Sequence, residues 1–448
     1  MAQGVGTEAQ LASLWQHLEG RWPENRIEPT LARIAALTEL MGDPQRTYPV
    51  IHVTGTNGKT STARMIESLL RSFGLRTGLF TSPHLIDPRE RLCLDGQPIE
   101  ADRLLAAWQE VGPFIEVVDA NSLADGGPVM SYFEVMTGLA FAAFADAPVD
   151  VAIVEVGLGG TWDSTNVADG VVSVVTAIGL DHRDYLGDSI AEIATEKAGI
   201  IKAGTTAVLA QQELPAAEVL LARCVEVGAE VAREGLEFGV LLREVAVGGQ
   251  ALSLRGLSGE YPDVFLPLFG QHQARNASVA LASVEAFLHG VGALDVDLVR
   301  AGFAAVTSPG RLQVVRRNPT VLLDAAHNPH GAAALAEALD DSFDFAGLVG
   351  VVGMLADKDA SGFLAALEGR LHQVVITEPS SARAMPVDVL AAIAVEVFGE
   401  DRVIVERSLA DAIDRAVAMA EEDAPYGGAG VLVTGSVVLV GDALRLLG

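Results

Sequence analysis

The amino-acid sequence predicts an α/β protein with two domains, each built on a mostly parallel sheet. Two observations lead to this prediction. Short apolar runs alternate with helical patterns from about residue 48 to residue 210, and a second alternating series follows a linker-like segment at residues 307–311. The chain has 448 residues, 50% of them hydrophobic, so it is long enough to bury the cores of two or three domains.

The first series predicts an N-terminal domain of strands and helices in alternation. Apolar strand-like runs lie at residues 48–52, 77–80, 149–154 and 171–178, and helical patterns lie at residues 63–70, 132–144 and 272–289. Residues 230–268 carry short Val and Leu runs with several glycines and no helical pattern, which indicates a small antiparallel patch. We therefore expect a mostly parallel sheet plus this patch.

The second series predicts an independent Rossmann-like α/β domain. Its strands lie at residues 320–324, 348–352, 373–377, 402–405 and 430–434, separated by alanine-rich helical patterns. The shift in composition near residue 306 places the boundary between a first domain at residues 1–306 and a second at residues 307–448.

The most informative segment follows the first predicted strand and leads into a helical pattern. It consists of Gly55, Thr56, Asn57, Gly58, Lys59, Thr60 and Ser61. In a strand–loop–helix of this kind, backbone N–H groups surround phosphates, the lysine reaches the outer phosphates and a hydroxyl can meet Mg²⁺. Val53 stands where the general phosphate-binding loop has glycine, so a glycine-rich turn with an unrelated lysine is the alternative. The segment predicts binding of a nucleoside triphosphate.

Charge and cysteine content exclude several functions. The 59 acidic residues outnumber the 30 basic ones, and the net charge of -29 argues against nonspecific binding to nucleic acid or to an anionic membrane. Cys93 and Cys224 lie far apart, which fits a reducing compartment without a disulfide framework. We see neither a signal-peptide pattern nor a bilayer-spanning run, so we expect a cytoplasmic protein. Without heptads or a long apolar edge, a monomer is favoured.

Polar residues follow several predicted strands, at the edge where open α/β sheets bind ligands. Glu155 ends an apolar strand, where a Mg²⁺ ion shared with nucleotide phosphates would compensate its burial, and a loop cap is the alternative. His182 follows an aspartate after another strand, either as a ligand or as a structural histidine. Asp324 and His327 bracket a turn before a helix that Pro329 would begin, either as site residues or as a cap and a surface histidine.

Together these motifs resemble the folylpolyglutamate synthase/dihydrofolate synthase family, within the ATP-dependent Mur ligase superfamily. The resemblance covers nearly the whole chain. It is carried by Gly-Thr-Asn-Gly-Lys at 55–59, Thr-Ser-Pro-His-Leu at 81–85, Glu-Val-Gly-Leu-Gly-Gly at 155–160, Gly-Leu-Asp-His at 179–182, Glu-Lys-Ala-Gly-Ile-Ile-Lys at 196–202, Gly-Gln-His-Gln at 270–273, Pro-Gly-Arg at 309–311 and Asp-Ala-Ala-His-Asn-Pro at 324–329. It implies a first domain of the Mur ligase central type with a phosphate loop, and a Rossmann-like glutamate ligase domain.

The resemblance also implies roles for individual residues. Lys59 and its loop would hold the β- and γ-phosphates of ATP, and Ser82, Glu155 and His182 would bind Mg²⁺. The residues expected to carry catalysis are Lys59, Glu155, His182, Lys197, Asp324 and His327.

Further roles concern the nucleotide and one lysine. Asn276 and Arg311 would contact the nucleotide, and Asp324, from the second domain, would meet nucleotide or glutamate. Lys197 matches a lysine that is carbamylated in this family, although the residues alone favour an exposed helix lysine beside Glu196.

Three positions depart from the family pattern. Thr60 replaces a frequent glycine, and Ala325 replaces a glycine, neither of which should disturb the phosphate chemistry. Thr161 and Trp162 replace Arg-Leu near the expected pterin position, so they bear on the preferred pterin substrate.

The sequence therefore predicts a ligase that adds L-glutamate to a folate or dihydropteroate carboxylate through an acyl phosphate. One alternative is a peptidoglycan-precursor ligase with the same chemistry, and another is a nucleotide-dependent switch that hydrolyses ATP without a ligated product. The choice between dihydropteroate and reduced folates, and the number of glutamates added, stay open.

Overall fold

The computed structural model describes residues 2–23, 26, 28–290, 292–423 and 428–447. Its strands form three sheets. The large sheet contains β1 (Val50–Thr54), β2 (Thr77–Phe80), β3 (Leu92–Leu94), β4 (Gln97–Pro98), β5 (Val151–Glu155), β6 (Gly170–Val175), β7 (Thr206–Leu209) and β8 (Glu230–Arg233). The small sheet contains β9 (Gly239–Ala246), β10 (Gly249–Arg255) and β11 (Glu260–Leu266). The C-terminal sheet contains β12 (Gln313–Arg317), β13 (Thr320–Asp324), β14 (Gly347–Val352), β15 (Gln373–Ile376), β16 (Val403–Val405) and β17 (Ala429–Thr434).

Helices cover these sheets. Those before the C-terminal sheet are α1 (Ala2–Glu19), α2 (Ala32–Leu40), α3 (Lys59–Ser72), α4 (Ala101–Ala124), α5 (Tyr132–Asp146), α6 (Arg183–Leu186), α7 (Ile190–Ala198), α8 (Leu214–Val227), α9 (Gln271–Phe287) and α10 (Val296–Ala304). Those within its connections are α11 (Pro329–Ser342), α12 (Ala360–Leu367), α13 (Val387–Phe398), α14 (Leu409–Asp423) and α15 (Val437–Leu447). Short 3₁₀ helices span Pro44–Arg46, Pro88–Arg91, Ser164–Val167 and Glu400–Arg402.

The large sheet has the strand order β4-β3-β2-β5-β1-β6-β7-β8. Its strands are parallel except for the pairs β2–β3 and β3–β4. β1 is buried along its whole length, between β5 and β6. Val53 pairs with Glu155, and Thr54 pairs with Val175, so the three central strands end at one edge.

Alternation along β1 divides the core of the first domain into two layers. Ile51 and Val53 face α3 and α9, and the small sheet packs onto this same layer. Val50 belongs to the opposite layer, with α1, α2, α4 and α5. Both faces of the sheet are therefore covered, as expected for parallel strands with nearly continuous apolar sequences.

The C-terminal sheet has the order β12-β13-β17-β14-β15-β16, and only the pair β12–β13 is antiparallel. Asp324 and Val352 both pair with Thr434, so β13, β14 and β17 end together. Apolar clusters on the two faces hold α11, α12 and α13 on one side and α14 and α15 on the other.

The predicted fold class is confirmed: two mostly parallel α/β units and a small antiparallel sheet are present. Three features differ from the expectation. β8 lies within the predicted antiparallel patch but extends the large parallel sheet, the edge strands β3, β4 and β12 are antiparallel, and α1 and α2 precede the first predicted strand. The boundary at residue 306 stays a prediction. Within the described residues, none of the helices is both long and apolar enough to cross a bilayer.

Candidate active site

A cavity of about 240 Å³ lies where the carboxyl edge of the large sheet meets the C-terminal sheet. All the residues selected from the sequence line this cavity: Gly55, Thr56, Asn57, Gly58, Lys59, Thr60, Ser61, Ser82, Glu155, His182, Lys197, Asn276, Arg311, Asp324 and His327. The fold thus brings candidates from both predicted domains into one place.

The phosphate loop depends on two glycines with positive φ. A Cβ at Gly55 (φ 147°) would lie 1.9 Å from the Thr176 hydroxyl oxygen, and Gly58 (φ 88°) precedes the first residue of α3. Lys59 Nζ donates to the carbonyl oxygens of Gly55 (3.1 Å) and Thr56 (3.2 Å). Burial lowers the pKa of Lys59, and the charge of Glu155 acts in the opposite direction.

Glu155 ends β5 with a fully buried carboxylate that accepts several hydrogen bonds. The Thr60 hydroxyl donates to both carboxylate oxygens, at 2.9 and 3.0 Å, and the Ser82 backbone N–H donates at 3.3 Å. Burial raises the pKa of Glu155, whereas Lys59 lowers it. The carboxylate thus contacts both the phosphate loop and the loop that carries Ser82.

His182 stands at the N-terminus of α6 in the left-handed region, with φ 50°. Burial, together with the charge of Lys358, lowers the pKa of His182 to about 4, against the opposing charge of Asp181. The imidazole is therefore neutral at physiological pH and can act as a ligand.

The donor set around Glu155 is compatible with Mg²⁺. Among the described residues no three His, Cys, Asp or Glu side chains form a complete metal cage. Glu155 and His182 instead share the cavity wall with the hydroxyl residues Ser82 and Thr60. Mg²⁺ commonly takes one or two protein carboxylates and completes its shell with phosphate oxygens and water, so this sparse set fits the ion.

Lys197, in α7, is buried rather than exposed, so the alternative of a surface lysine is wrong. Its Nζ donates to the Gly55 carbonyl oxygen at 2.8 Å, and this oxygen also accepts from Lys59. Burial and the charge of Lys59 lower the pKa of Lys197 to about 7. A large fraction of the amine is therefore neutral near pH 7.

The second domain contributes Asp324 at the end of β13. Its carboxylate accepts the N–H groups of Leu312 (2.8 Å) and Ala326 (2.9 Å), and Leu312 has a strained φ of 45°. Burial raises the pKa of Asp324, against the charge of Arg311. Asn328, not Asp324, caps α11, and Pro329 begins that helix as predicted.

Asp181 forms a contact between the two domains that the sequence analysis did not select. Its carboxylate accepts from Lys358 Nζ (2.8 Å) and Asn328 Nδ2 (2.9 Å), and His327 Nε2 lies 3.7 Å away. Burial alone would raise the pKa of Asp181, but the neighbouring imidazoles of His327 and His182 and the charge of Lys358 hold it well below its usual range.

Lys358 is the residue most clearly missed. It lies in the loop that follows β14, so the strand-end rule that selected Glu155 also applies to it. A second link joins the domains at the phosphate loop, where Asn57 Nδ2 contacts Asn328 Oδ1 (3.3 Å) and His330 Nδ1 (2.7 Å). Polar side chains from both domains therefore meet directly across the cavity.

Family comparisons agree with this two-part architecture. Residues 129–284 match the model of the Mur ligase middle domain, and residues 310–437 match that of the Mur ligase glutamate ligase domain.

Individual relatives are similar along most or nearly all of the chain. A dihydrofolate synthase/folylpolyglutamate synthase of Mycobacterium tuberculosis is 53% identical over 99% of this chain and 96% of its own length. An Escherichia coli protein of the same description is 35% identical over 80% of this chain and 79% of its own length.

Solved structures show the same similarity. The Mycobacterium tuberculosis folylpolyglutamate synthase complexed with ADP superposes with a TM-score of 0.95 at 53% identity, covering 99% of both chains. The Escherichia coli FolC in complex with DHPP and ADP superposes with a TM-score of 0.85 at 32% identity, covering 97% of both chains.

Proposed function

The chain belongs to the dihydrofolate synthase/folylpolyglutamate synthase family, and from this premise we propose that it joins L-glutamate to a folate or dihydropteroate carboxylate with ATP. One observation of the site supports this most directly. The phosphate loop and Glu155 of the first domain face Asp324 and His327 of the second domain across a single cavity.

The chemistry explains why ATP is needed. A carboxylate does not react with an amine at neutral pH, because its oxygen is a poor leaving group. Transfer of the γ-phosphoryl group to a carboxylate oxygen forms an acyl phosphate and releases ADP. The neutral α-amine of glutamate then attacks the carbonyl carbon, inorganic phosphate leaves with that oxygen, and the nitrogen loses a proton. Such catalysis rests on positioning and on charge neutralisation.

The protein supplies both the positioning and the charge neutralisation. The backbone N–H groups around Gly58 and the Lys59 ammonium would hold the phosphates at the N-terminus of α3. Asn276, whose amide oxygen would lie 2.7 Å from a Cβ at Gly58, would contact the nucleotide together with Arg311. Gly58 leaves room for this close approach.

Glu155, His182 and Ser82 would hold Mg²⁺ beside the phosphates, with the Thr60 hydroxyl close to the same carboxylate. When bound, the ion neutralises phosphate charge. The chain's own groups keep the carboxylate oriented, because the Thr60 hydroxyl donates to both of its oxygens and the Ser82 N–H to one of them.

Lys197 is proposed to be carbamylated. Its lowered pKa, about 7, leaves neutral amine that can react with CO₂. The product is an anion, which would replace the repulsion between Lys197 and Lys59 at the Gly55 carbonyl with attraction.

Two sequence-based predictions complete the proposal: the enzyme acts as a monomer, and it acts in the cytoplasm. Cys93 and Cys224 are free and buried, which supports a reducing compartment.

A peptidoglycan-precursor ligase is not favoured, because the relatives that match over most of the chain are described as folate enzymes. An assay can show which carboxylate acceptor the enzyme uses. Purified protein with ATP, Mg²⁺ and glutamate should extend dihydropteroate, tetrahydrofolate or both by glutamate residues, read by mass spectrometry. ATP hydrolysis without any ligated product would favour the nucleotide-dependent switch and overturn the proposal.

Glu155→Gln tests the site within the same assay. Loss of the carboxylate charge should lower ligation by about 10²-fold or more while the protein stays folded. Glu226→Gln, on an exposed ion pair with Arg223, is the matched control and should retain activity. Full activity of Glu155→Gln would refute the assignment.

A further inference from the structure

A buried histidine in the central strand takes no part in the mechanism above. His52 lies in β1, is completely buried, and shares with Thr54 the face of the strand opposite Ile51 and Val53. Burial and the charge of Lys202 lower the pKa of His52 to about 3, so the ring is neutral. A neutral polar group at the centre of a core needs a compensating hydrogen bond.

The neighbours of Thr165 set the direction of that hydrogen bond. His52 Nε2 lies 2.9 Å from the Thr165 hydroxyl oxygen. The Thr165 hydroxyl also bonds to Asp163 Oδ1, which accepts the Thr165 N–H at 3.0 Å as well. Both oxygens of Asp163 accept backbone N–H groups, from Thr165 and Leu158, and an ionised carboxylate also takes the single Thr165 hydroxyl hydrogen, so His52 donates through Nε2–H.

The assignment also explains the other ring nitrogen. Within the described part of the chain, His52 Nδ1 has no hydrogen-bond partner. With the proton on Nε2, Nδ1 carries a lone pair, so the atom without a partner is an acceptor and not an N–H donor. The order of donation therefore runs from His52 through Thr165 to Asp163.

The hydrogen bonds from His52 through Thr165 to Asp163 form a relay, and its last member, Asp163, holds a loop of the cavity. Asp163 Oδ2 accepts the N–H of Leu158 at 2.9 Å, and Thr54 Oγ1 donates to the Gly159 carbonyl at 2.8 Å. Residues 157–159 line the cavity directly after Glu155. Two side chains on one face of β1, His52 and Thr54, thus fix the same loop, one through the relay and one directly.

The loop also rests on the helix that carries Lys197. A Cβ at Gly160 would lie 2.6 Å from the Glu196 carbonyl oxygen and 2.9 Å from that of Lys197, so the loop backbone lies directly against α7. None of the proposed nucleotide contacts comes from residues 157–160. A displaced loop should therefore disturb the carboxylate acceptor more than ATP.

We propose that His52 and Thr165 are positioning residues of the ligase, which set the 157–160 loop for the acceptor through a directed hydrogen-bond relay to Asp163. The inference rests on the proposed function, since it assumes a folate-class acceptor in this cavity. It adds two residues that touch neither substrate.

Thr165→Val and Thr165→Ser form the first test. Valine has the same shape but no hydroxyl, so it should raise the KM for the folate or dihydropteroate acceptor about tenfold and change the KM for ATP by less than about twofold. Serine keeps the hydroxyl and should restore the acceptor KM. Equal behaviour of the two variants, or parallel changes in both KM values, would overturn the proposal.

His52→Gln and His52→Leu form the second test, which also serves if Thr165→Val does not fold. Glutamine retains an N–H donor of similar reach and should preserve the acceptor KM, whereas leucine should raise it as Thr165→Val does. Because both residues act in one relay, the double variant His52→Leu/Thr165→Val should be no worse than either single variant. Fully additive effects, or equal KM values for glutamine and leucine, contradict the relay.

The experiments distinguish failure of the proposed function from failure of the positioning role of His52 and Thr165. A wild-type enzyme that ligates no glutamate to any folate-class acceptor refutes the proposed function. A wild-type enzyme that ligates glutamate, with Thr165 and His52 variants that fail the pattern above, refutes the relay alone.

Discussion

Lysine is rare in this chain and is concentrated at the cavity. The sequence contains only four lysines, and the other basic residues are arginines. Lys59 and Lys197 line the cavity, Lys358 bonds Asp181 at its wall, and Lys202 donates to the carbonyl oxygens of Asn166 and Ala168. A compact ammonium whose pKa responds to burial suits such sites better than a guanidinium, which stays charged.

Lys197 provides the first prediction at this scale. Carbamylation consumes the neutral amine and releases a proton, so the carbamate should increase as the pH rises through about 7 and decrease below it. ¹³C NMR with labelled bicarbonate should show a carbamate signal at about pH 8 that weakens at about pH 6. Lys197→Arg should lack the signal and Lys202→Arg should keep it. A signal that persists in Lys197→Arg would contradict the assignment.

Lys197 also shows what local sequence patterns cannot predict. Spacing favoured an exposed lysine beside Glu196, because one helical turn does not reveal which face meets the glycine loop. Only the resemblance identified Lys197, whereas the strand-end rule alone found Glu155 and Asp324. Asp181 and Lys358 each follow a strand, but their pairing joins positions 177 residues apart, and no local pattern encodes that pairing.

At the scale of elements, α15 restrains the loop that carries Ser82. The Arg445 guanidinium donates to the Ile86 carbonyl at 2.9 Å, and a Cβ at Gly441 would lie 2.1 Å from the Leu85 carbonyl oxygen. The Ser82 N–H in turn donates to Glu155. A C-terminal helix therefore reaches the proposed metal ligands through one short loop.

Gly441→Ala tests this contact. The added methyl group meets backbone, which cannot give way easily, so we expect a destabilisation of about 1–3 kcal/mol and a lower ligation rate as Ser82 is displaced. Denaturant unfolding and the ligation assay measure the two effects. Gly369→Ala, where the new Cβ has no neighbour within 4 Å, is the control and should change the ligation rate little. Unchanged stability in Gly441→Ala would contradict the contact.

Element types were predictable where the chain is strongly patterned. The central parallel strands read as continuous apolar runs because both of their faces are covered. Edge strands were harder: β4 has two residues, both exposed, and β12 has the sequence Gln-Val-Val-Arg-Arg, in which no residue is fully buried. Their pairing is decided by neighbours distant in sequence, which is why the antiparallel edges went unpredicted.

At the scale of the whole molecule, the two domains are joined by polar contacts around the cavity. Asp181 bonds Lys358 and Asn328, and Asn57 of the phosphate loop bonds Asn328 and His330. Such contacts form only when the domains are close together. The same contacts that assemble the site would also exclude water from the acyl phosphate.

Lys358→Met tests whether this arrangement depends on the ion pair with Asp181. Both partners are nearly buried, so removal of one charge leaves the other uncompensated, and the domains can relieve this cost by separating. We expect a larger radius of gyration in small-angle X-ray scattering and ligation reduced by about tenfold or more. The phosphate loop and Asn276 belong to the first domain and would still hold ADP, whereas the contact from Arg311 of the second domain would be lost, so ADP affinity should fall less than ligation. Arg383→Met removes an exposed ion pair with Asp357, one residue from Lys358, and should leave both shape and activity intact. If Lys358→Met scatters and ligates like the wild type, the ion pair does not hold the domains together, and closure must depend on the links at Asn57 and Leu85 instead.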